Sequence, residues 1–159
     1  MRIVRSIAVL LVLISISGAV QAQKVKYKCM IQMNSYLGEG AYIVVSLIGK
    51  DNAYTQTLAV LGPDKKWYPD WKEWYKAFKK KPVNISAITR ASIAGGDRTV
   101  VSLELDKATL DAGYKLRFES AVENNAYHLK DVEIPLTTAN LAAKTDGKGY
   151  IKYVRFSSN

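Results

Sequence analysis

The feature that most constrains this chain is a two-residue alternation of apolar and polar side chains that recurs along most of its length. In Lys24–Met33, Val25, Tyr27, Cys29, Ile31 and Met33 share one face, and Lys24, Lys26, Lys28 and Gln32 share the other. That is the pattern of a half-buried β-strand. Its outward lysines predict an edge strand, since charge on that face discourages pairing with another molecule. Residues 41–48 are almost all apolar and rich in β-branched side chains, which predicts a central strand covered on both faces. Gly49-Lys50-Asp51-Asn52 reads as a turn and residues 54–61 as the partner strand. Alternation returns at 98–105 and at 114–119, where Tyr114, Leu116 and Phe118 interleave with Lys115, Arg117 and Glu119. Residues 127–136 and 150–156 complete about seven strands.

One stretch departs from period two. Trp71, Trp74, Tyr75 and Phe78 fall at i, i+3, i+4 and i+7, an aromatic stripe of helical period. Asp70 with Glu73 has the spacing of a capping box. Lys72, Lys76 and the run Lys79, Lys80, Lys81 occupy the outer face and last turn, where cations suit the helix dipole, and Pro82 ends the segment. The stripe predicts a helix anchored on a sheet. The expected fold is all-β: an antiparallel immunoglobulin-like β-sandwich of about seven strands with one inserted amphipathic helix.

The first 22 residues predict export. Arg2 and Arg5 form a positive n-region, residues 7–16 are an apolar run, and Val20-Gln21-Ala22 offers small side chains at the −3 and −1 positions of a cleavage site. The apolar run is shorter than the ~20 residues of a membrane span. Cleavage after Ala22 leaves residues 23–159, 137 in all, a length suited to one periplasmic domain that does not span the membrane. The precursor's net charge of +9 becomes +7 once both arginines are lost. Such a balance favours polyanions or anionic membrane surfaces as partners, or it is simply a soluble basic surface. No nucleic-acid-binding motif is present, and nucleic acid is not expected as a partner. Cys29 is the single cysteine and His128 the single histidine. An intramolecular disulfide and a multi-histidine metal site are therefore excluded. Cys29 lies on an apolar strand face and reads as a buried, unreactive thiol. His128 has no Ser, Cys or Asp partner motif and reads as structural. Asp51, Asp64, Asp97 and Asp146 are scattered among turns, in no calcium-loop or paired-carboxylate pattern. Gly95-Gly96-Asp97-Arg98 fits a turn into the next strand or, alternatively, a backbone anion nest.

Several stretches in order carry a resemblance: Tyr42-Ile43-Val44-Val45-Ser46-Leu47, Thr57-Leu58-Ala59-Val60-Leu61-Gly62, Lys66-Trp67-Tyr68-Pro69-Asp70 with Trp74, Ile88-Thr89-Arg90-Ala91-Ser92, and Gly113-Tyr114-Lys115-Leu116-Arg117-Phe118-Glu119. Together they resemble a family of predicted periplasmic proteins known as a domain of unknown function, with a flagellar-hook-scaffold-like β-sandwich. The resemblance covers nearly all of the mature chain. It implies a setting beside PepSY-type membrane proteins and flavin transferases, in systems that handle iron or extracytoplasmic electrons.

The resemblance also implies a modification site. Relatives carry Asp-x-x-Thr-Gly-Ala-Thr/Ser where this chain has Ser86-Ala87-Ile88-Thr89-Arg90-Ala91-Ser92, a pattern similar to the acceptor motif for covalent FMN. Carried over, Ser92 is the hydroxyl that takes the flavin phosphate as a phosphodiester, with Thr89, Arg90 and Ala91 completing the cofactor segment. Two positions depart from the pattern: Ser86 replaces Asp and Arg90 replaces Gly. Arg90 adds bulk where the motif has backbone freedom, and its guanidinium is also suited to a phosphate. The resemblance thus implies a non-catalytic accessory protein of a redox or iron-handling system and a covalent FMN carrier, with a PepSY-type membrane protein and a flavin transferase as partners. The alternative is a cofactor-free module that binds an anionic ligand or a partner protein through its loops and basic patches.

Overall fold

The computed structural model describes residues 23–158. The leader segment predicted over 1–22 lies outside them. All seven expected strands form: β1 (Lys24–Met33), β2 (Tyr42–Ile48), β3 (Tyr54–Leu61), β5 (Arg98–Asp106), β6 (Lys115–Ala121), β7 (Tyr127–Pro135) and β9 (Ile151–Ser158). Two short ones join them, β4 (Thr89–Arg90) and β8 (Lys144–Asp146). Segments of two or three residues carry no alternation to read, so the sequence does not announce them. The strands build two sheets, in the orders β5-β1-β9-β8 and β4-β3-β2-β6-β7. Every pairing is antiparallel except the short parallel contact of β4 with β3.

The sheets close on one main core. Cys29, Ile31, Ile43, Val45, Leu47, Leu103, Leu116 and Phe118 meet there, the inward members of each alternating set. Contrary to the edge-strand expectation, β1 lies inside its sheet, paired with β5 on one side and β9 on the other. Its lysines decorate a solvent face rather than guard an edge: Lys24 and Lys26 both reach Glu104 of β5, at 3.4 and 3.0 Å. Surface pairs of this kind contribute at most ~1 kcal/mol each.

The second sheet is covered on its outer face too. A 3₁₀ turn at Lys65–Asp70 leads into α1 (Lys72–Lys80). Trp71 and Trp74 are fully buried against Val44, Val60 and Tyr68, with Tyr75 and Phe78 packed alongside. The aromatic stripe is therefore a core anchor, and β2 is buried on both faces as its composition requires. The predicted capping box does not form. Asp70 closes the 3₁₀ turn, Trp71 is the N-cap and no side chain caps the helix. Pro69 and the buried Trp71 fix that entry instead. A short helix, α2 (Thr138–Leu141), links β7 to β8. Among the described residues, no helix is long and apolar enough to cross a membrane.

Candidate functional site

The chain's course around α1 creates its main concavity. Trp71 packs on Tyr42, at the start of β2, with ring centroids 5.6 Å apart. Three residues on, the Trp74 Nε1–H donates to Thr57 Oγ1 at 2.9 Å. Phe78 stacks on Trp74 at 4.9 Å and 18°. After Pro82 the chain turns back through a 3₁₀ turn at Ser86–Ile88 to pair as β4 with Val60 and Leu61 of β3. Between the outgoing helix and the returning segment lies a groove of about 370 Å³ bounded by Tyr54, Thr57, Trp74, Phe78, Lys81 and Ile88. A second hollow of about 220 Å³ lies across Phe78 and Val83, bounded by Lys65, Tyr68, Tyr75 and Ile85. Both have aromatic walls and a lysine at the rim, and no acidic side chain lines either. Asn84 accepts the Ser86 N–H and fixes the dividing loop.

A buried polar network holds the floor. Glu119 of β6 is fully buried and accepts from the Tyr127 hydroxyl at 2.5 Å and from the Tyr54 hydroxyl. Burial pushes its carboxyl above the usual range, against the pull of Tyr127, Tyr54, Arg117 and the backbone of Trp74. Burial and the Glu119 carboxylate push both tyrosine hydroxyls up in turn. Arg117 Nε donates to Glu133 Oε2 at 2.8 Å, and its guanidinium lies over the Tyr54 ring at 5.5 Å. Burial raises the Glu133 carboxyl, but hydrogen bonds and charge from Arg117, then Lys130, outweigh it and hold it low. Arg117 and Glu119 alternate with core residues along β6, the usual solvent-face pattern. Glu119 is buried where Trp74 of α1 meets that face, and Arg117 is buried against the Tyr54 ring and Glu133.

A second buried carboxylate, Asp131, organises a turn. Its Oδ1 accepts the N–H groups of Lys148 and Gly149 at 2.9 and 2.7 Å, and its Oδ2 accepts Ile151 N–H at 2.9 Å and the Ser120 hydroxyl. Gly149 lies so close to the His128 ring that a Cβ would stand 2.4 Å from it. His128 packs edge-on against Tyr150 at 5.0 Å. These contacts give it a structural place. Cys29 is fully buried, and desolvation pushes its thiol far up.

The predicted cofactor segment lies beyond the groove on the same stretch of chain. Thr89 and Arg90 form β4, with Arg90 and Ala91 exposed. The Thr89 hydroxyl donates to the Ile85 carbonyl at 2.8 Å and closes the preceding turn. Ser92 is partly exposed just before Ile93, which bridges to Ala41. Its Oγ faces Gly40, where a Cβ would stand 2.7 Å away, so the glycine leaves room for the hydroxyl. Ser92 lines neither groove. At Gly95-Gly96-Asp97 the backbone serves the turn: Gly96 N–H donates to Asn34 and Asp97 N–H to Ala94, at 2.9 and 3.2 Å. Those donors are therefore not aimed at an anion. Among the described residues, no group of three or more His, Cys, Asp or Glu side chains is placed to hold a metal ion.

Sequence reasoning missed Tyr54, Thr57 and Ile88 as groove residues and Glu119 as a buried acid. The legible signal was indirect: a helix with four aromatic residues on one face must cover a sheet face, and polar residues on that face go under with it. The family described as "Predicted periplasmic protein (DUF2271)" matches residues 24–153. No curated protein and no solved structure matches the chain.

Proposed function

The chain belongs to this family of periplasmic proteins, and on that premise we propose that it is a non-catalytic accessory protein whose work is binding. The ligand or partner it holds is anionic with an apolar body, and it sits in the groove between α1 and β3. The observation that carries this reading is the groove's chemistry: aromatic walls, a lysine rim and no lining carboxylate. Ligand sites of this kind combine apolar walls with a few placed polar groups. The two fully buried acids support it, because Glu119 and Asp131 are both committed to internal hydrogen bonds. As part of the same proposal, this binding serves a redox or iron-handling system beside a PepSY-type membrane protein, the setting that the resemblance implies. FMN, a flat ring with a phosphate, is a suitable probe, and riboflavin is its uncharged control. Quenching of tryptophan fluorescence by FMN, reduced by salt and by Lys81→Glu, is the expected result. Equal, salt-insensitive responses to FMN and riboflavin would remove the anionic part of the reading.

A second reading is favoured by the setting of Ser92: covalent FMN carriage. The hydroxyl is partly exposed, and the exposed Arg90 two residues away suits a phosphate. The residues present fit an acceptor. Ser92 would hold the flavin through its phosphate, and the flavin would supply electron transfer. Intact mass after co-expression with a flavin transferase tests this. Flavin-sized added mass, lost in Ser92→Ala and increased by Ser86→Asp with Arg90→Gly, supports carriage. Bare-chain mass under conditions that label a positive control sinks it.

A further inference from the structure

Beside the groove, the open edge of β3 offers a backbone site of its own. β3 pairs along its length with β2, but on its other side β4 covers only Val60 and Leu61. From Tyr54 to Ala59 no strand among the described residues pairs with that outer edge. Tyr54, Thr55, Gln56 and Thr57, the first residues of this unpaired run, also line the groove. The four accessible residues Tyr54–Thr57 span ~13 Å. The chain could have claimed this edge by starting β4 earlier. Instead it leaves in the 3₁₀ turn at Ser86–Ile88, whose Ile88 becomes part of the groove's far side. Natural sheets usually block or cover an open edge. Here Leu58 and Ala59 are buried, and the stretch Tyr54–Thr57 is left open next to a hollow with Trp74 and Phe78 in its wall.

The charge around it is mostly positive, with Glu73 the one acid on α1. Lys81 lines the groove, and Lys72, Lys76, Lys79 and Lys80 lie exposed along the same helix. Among the described residues, none of these five lysines is within ion-pair distance of a carboxylate.

We infer that the partner presents an extended, acidic peptide segment that docks as an added strand on the Tyr54–Thr57 edge of β3. This deepens the groove-binding reading and rests on it. Strand addition takes affinity from main-chain hydrogen bonds and specificity from hollows that receive alternate side chains. Here the groove takes one or two apolar or aromatic side chains, and flanking carboxylates meet Lys79 and Lys81. Lysine clusters also speed encounter with an acidic partner, more at low salt than at high.

The test is selection of a displayed library of random ten-residue peptides on the mature protein, followed by amide hydrogen exchange with the enriched peptide bound. Expected are enriched peptides that alternate apolar residues with Asp or Glu, and exchange slowed at least tenfold at outward amides of Tyr54–Thr57. Lys79→Glu with Lys81→Glu, both at exposed positions, should weaken binding tenfold or more. Enrichment of basic or neutral peptides overturns the acidic partner. Groove binding that leaves the Tyr54–Thr57 amides unprotected overturns strand addition while the groove reading stands. No enriched peptide, with FMN still bound, overturns this inference alone. Failure of both peptides and FMN overturns the groove reading as well.

Discussion

Replacing Asp131 with Asn changes one oxygen to an NH₂ group and is the sharpest test of what holds the 147–151 turn. The carboxylate accepts from three backbone N–H groups and one hydroxyl. An amide has one acceptor oxygen, so at least one donor loses its partner. The least costly orientation leaves the oxygen on Lys148 and Gly149 and turns the NH₂ toward Ser120, whose hydroxyl can accept. Ile151 N–H then faces a donor in a fully buried setting. An orphaned buried donor costs ~1–3 kcal/mol, and losing charge assistance on the remaining bonds adds ~1 kcal/mol. The expected loss is about 2–4 kcal/mol, read as a lower urea midpoint at unchanged slope. At this chain length that is a fall in Tm of about 10 °C. Exchange at the Ile151 amide should quicken more than at Lys148, whose bond is only partly buried. A destabilisation under about 0.5 kcal/mol, with Ile151 exchange unchanged, would refute the idea that this carboxylate organises the turn.

Trp74→Ala should cost about 3–5 kcal/mol, since the ring is 1 % exposed and packs on Trp71, Tyr68 and Phe78; a near-neutral urea melt would mean α1 is not anchored as described. Glu119→Gln should change the pH dependence of stability. Burial raises the folded-state value of Glu119, so the folded chain binds the proton more tightly. Its contribution is then greatest below the unfolded value of ~4.3 and is lost as pH rises through the raised folded value. Urea midpoints from pH 4 upward should therefore show the wild type losing ground to Glu119→Gln, and parallel profiles would contradict the assignment. Gly149→Ala should destabilise by about 1–3 kcal/mol through the His128 ring, and an unshifted His128 resonance in that variant would count against the contact.

What the sequence made legible and what it hid follow one physical line. Alternation registers a strand's two faces, so β1, β2, β5 and β6 could be placed and most of their core residues named. Alternation cannot say what covers the second face. Lys24 and Lys26 on β1 and Arg117 and Glu119 on β6 look alike in sequence. The first pair stands in solvent beside Glu104, and the second is buried in a network with Tyr54, Tyr127 and Glu133. Strand order is a further long-range fact: β1 carries the charge of an edge strand yet has neighbours on both sides. The capping box failed because Pro69 and the buried Trp71 decide where the helix begins, ahead of the local spacing of Asp70 and Glu73.

The groove itself follows from the chain's course between α1 and β4. The helix meets β3 at Thr57 through Trp74, and its last turn, with Phe78 and Lys81, faces Tyr54–Thr57 across the hollow. Pro82 then forces the chain to turn, and the return through Asn84 and Ile88 walls the uncovered area without filling it. Lengthening the helix would close the hollow; shortening the return would let β4 extend over the edge. The arrangement keeps both open while Trp74, Thr57 and the Glu119 network fix the floor. The same return segment goes on to present Ser92 beside Gly40. Residues 83–92 therefore link the groove, the open edge and the candidate acceptor hydroxyl. On the proposed binding reading, a change in that segment reshapes the groove wall, whereas a change in the Lys24–Glu104 face has no such route.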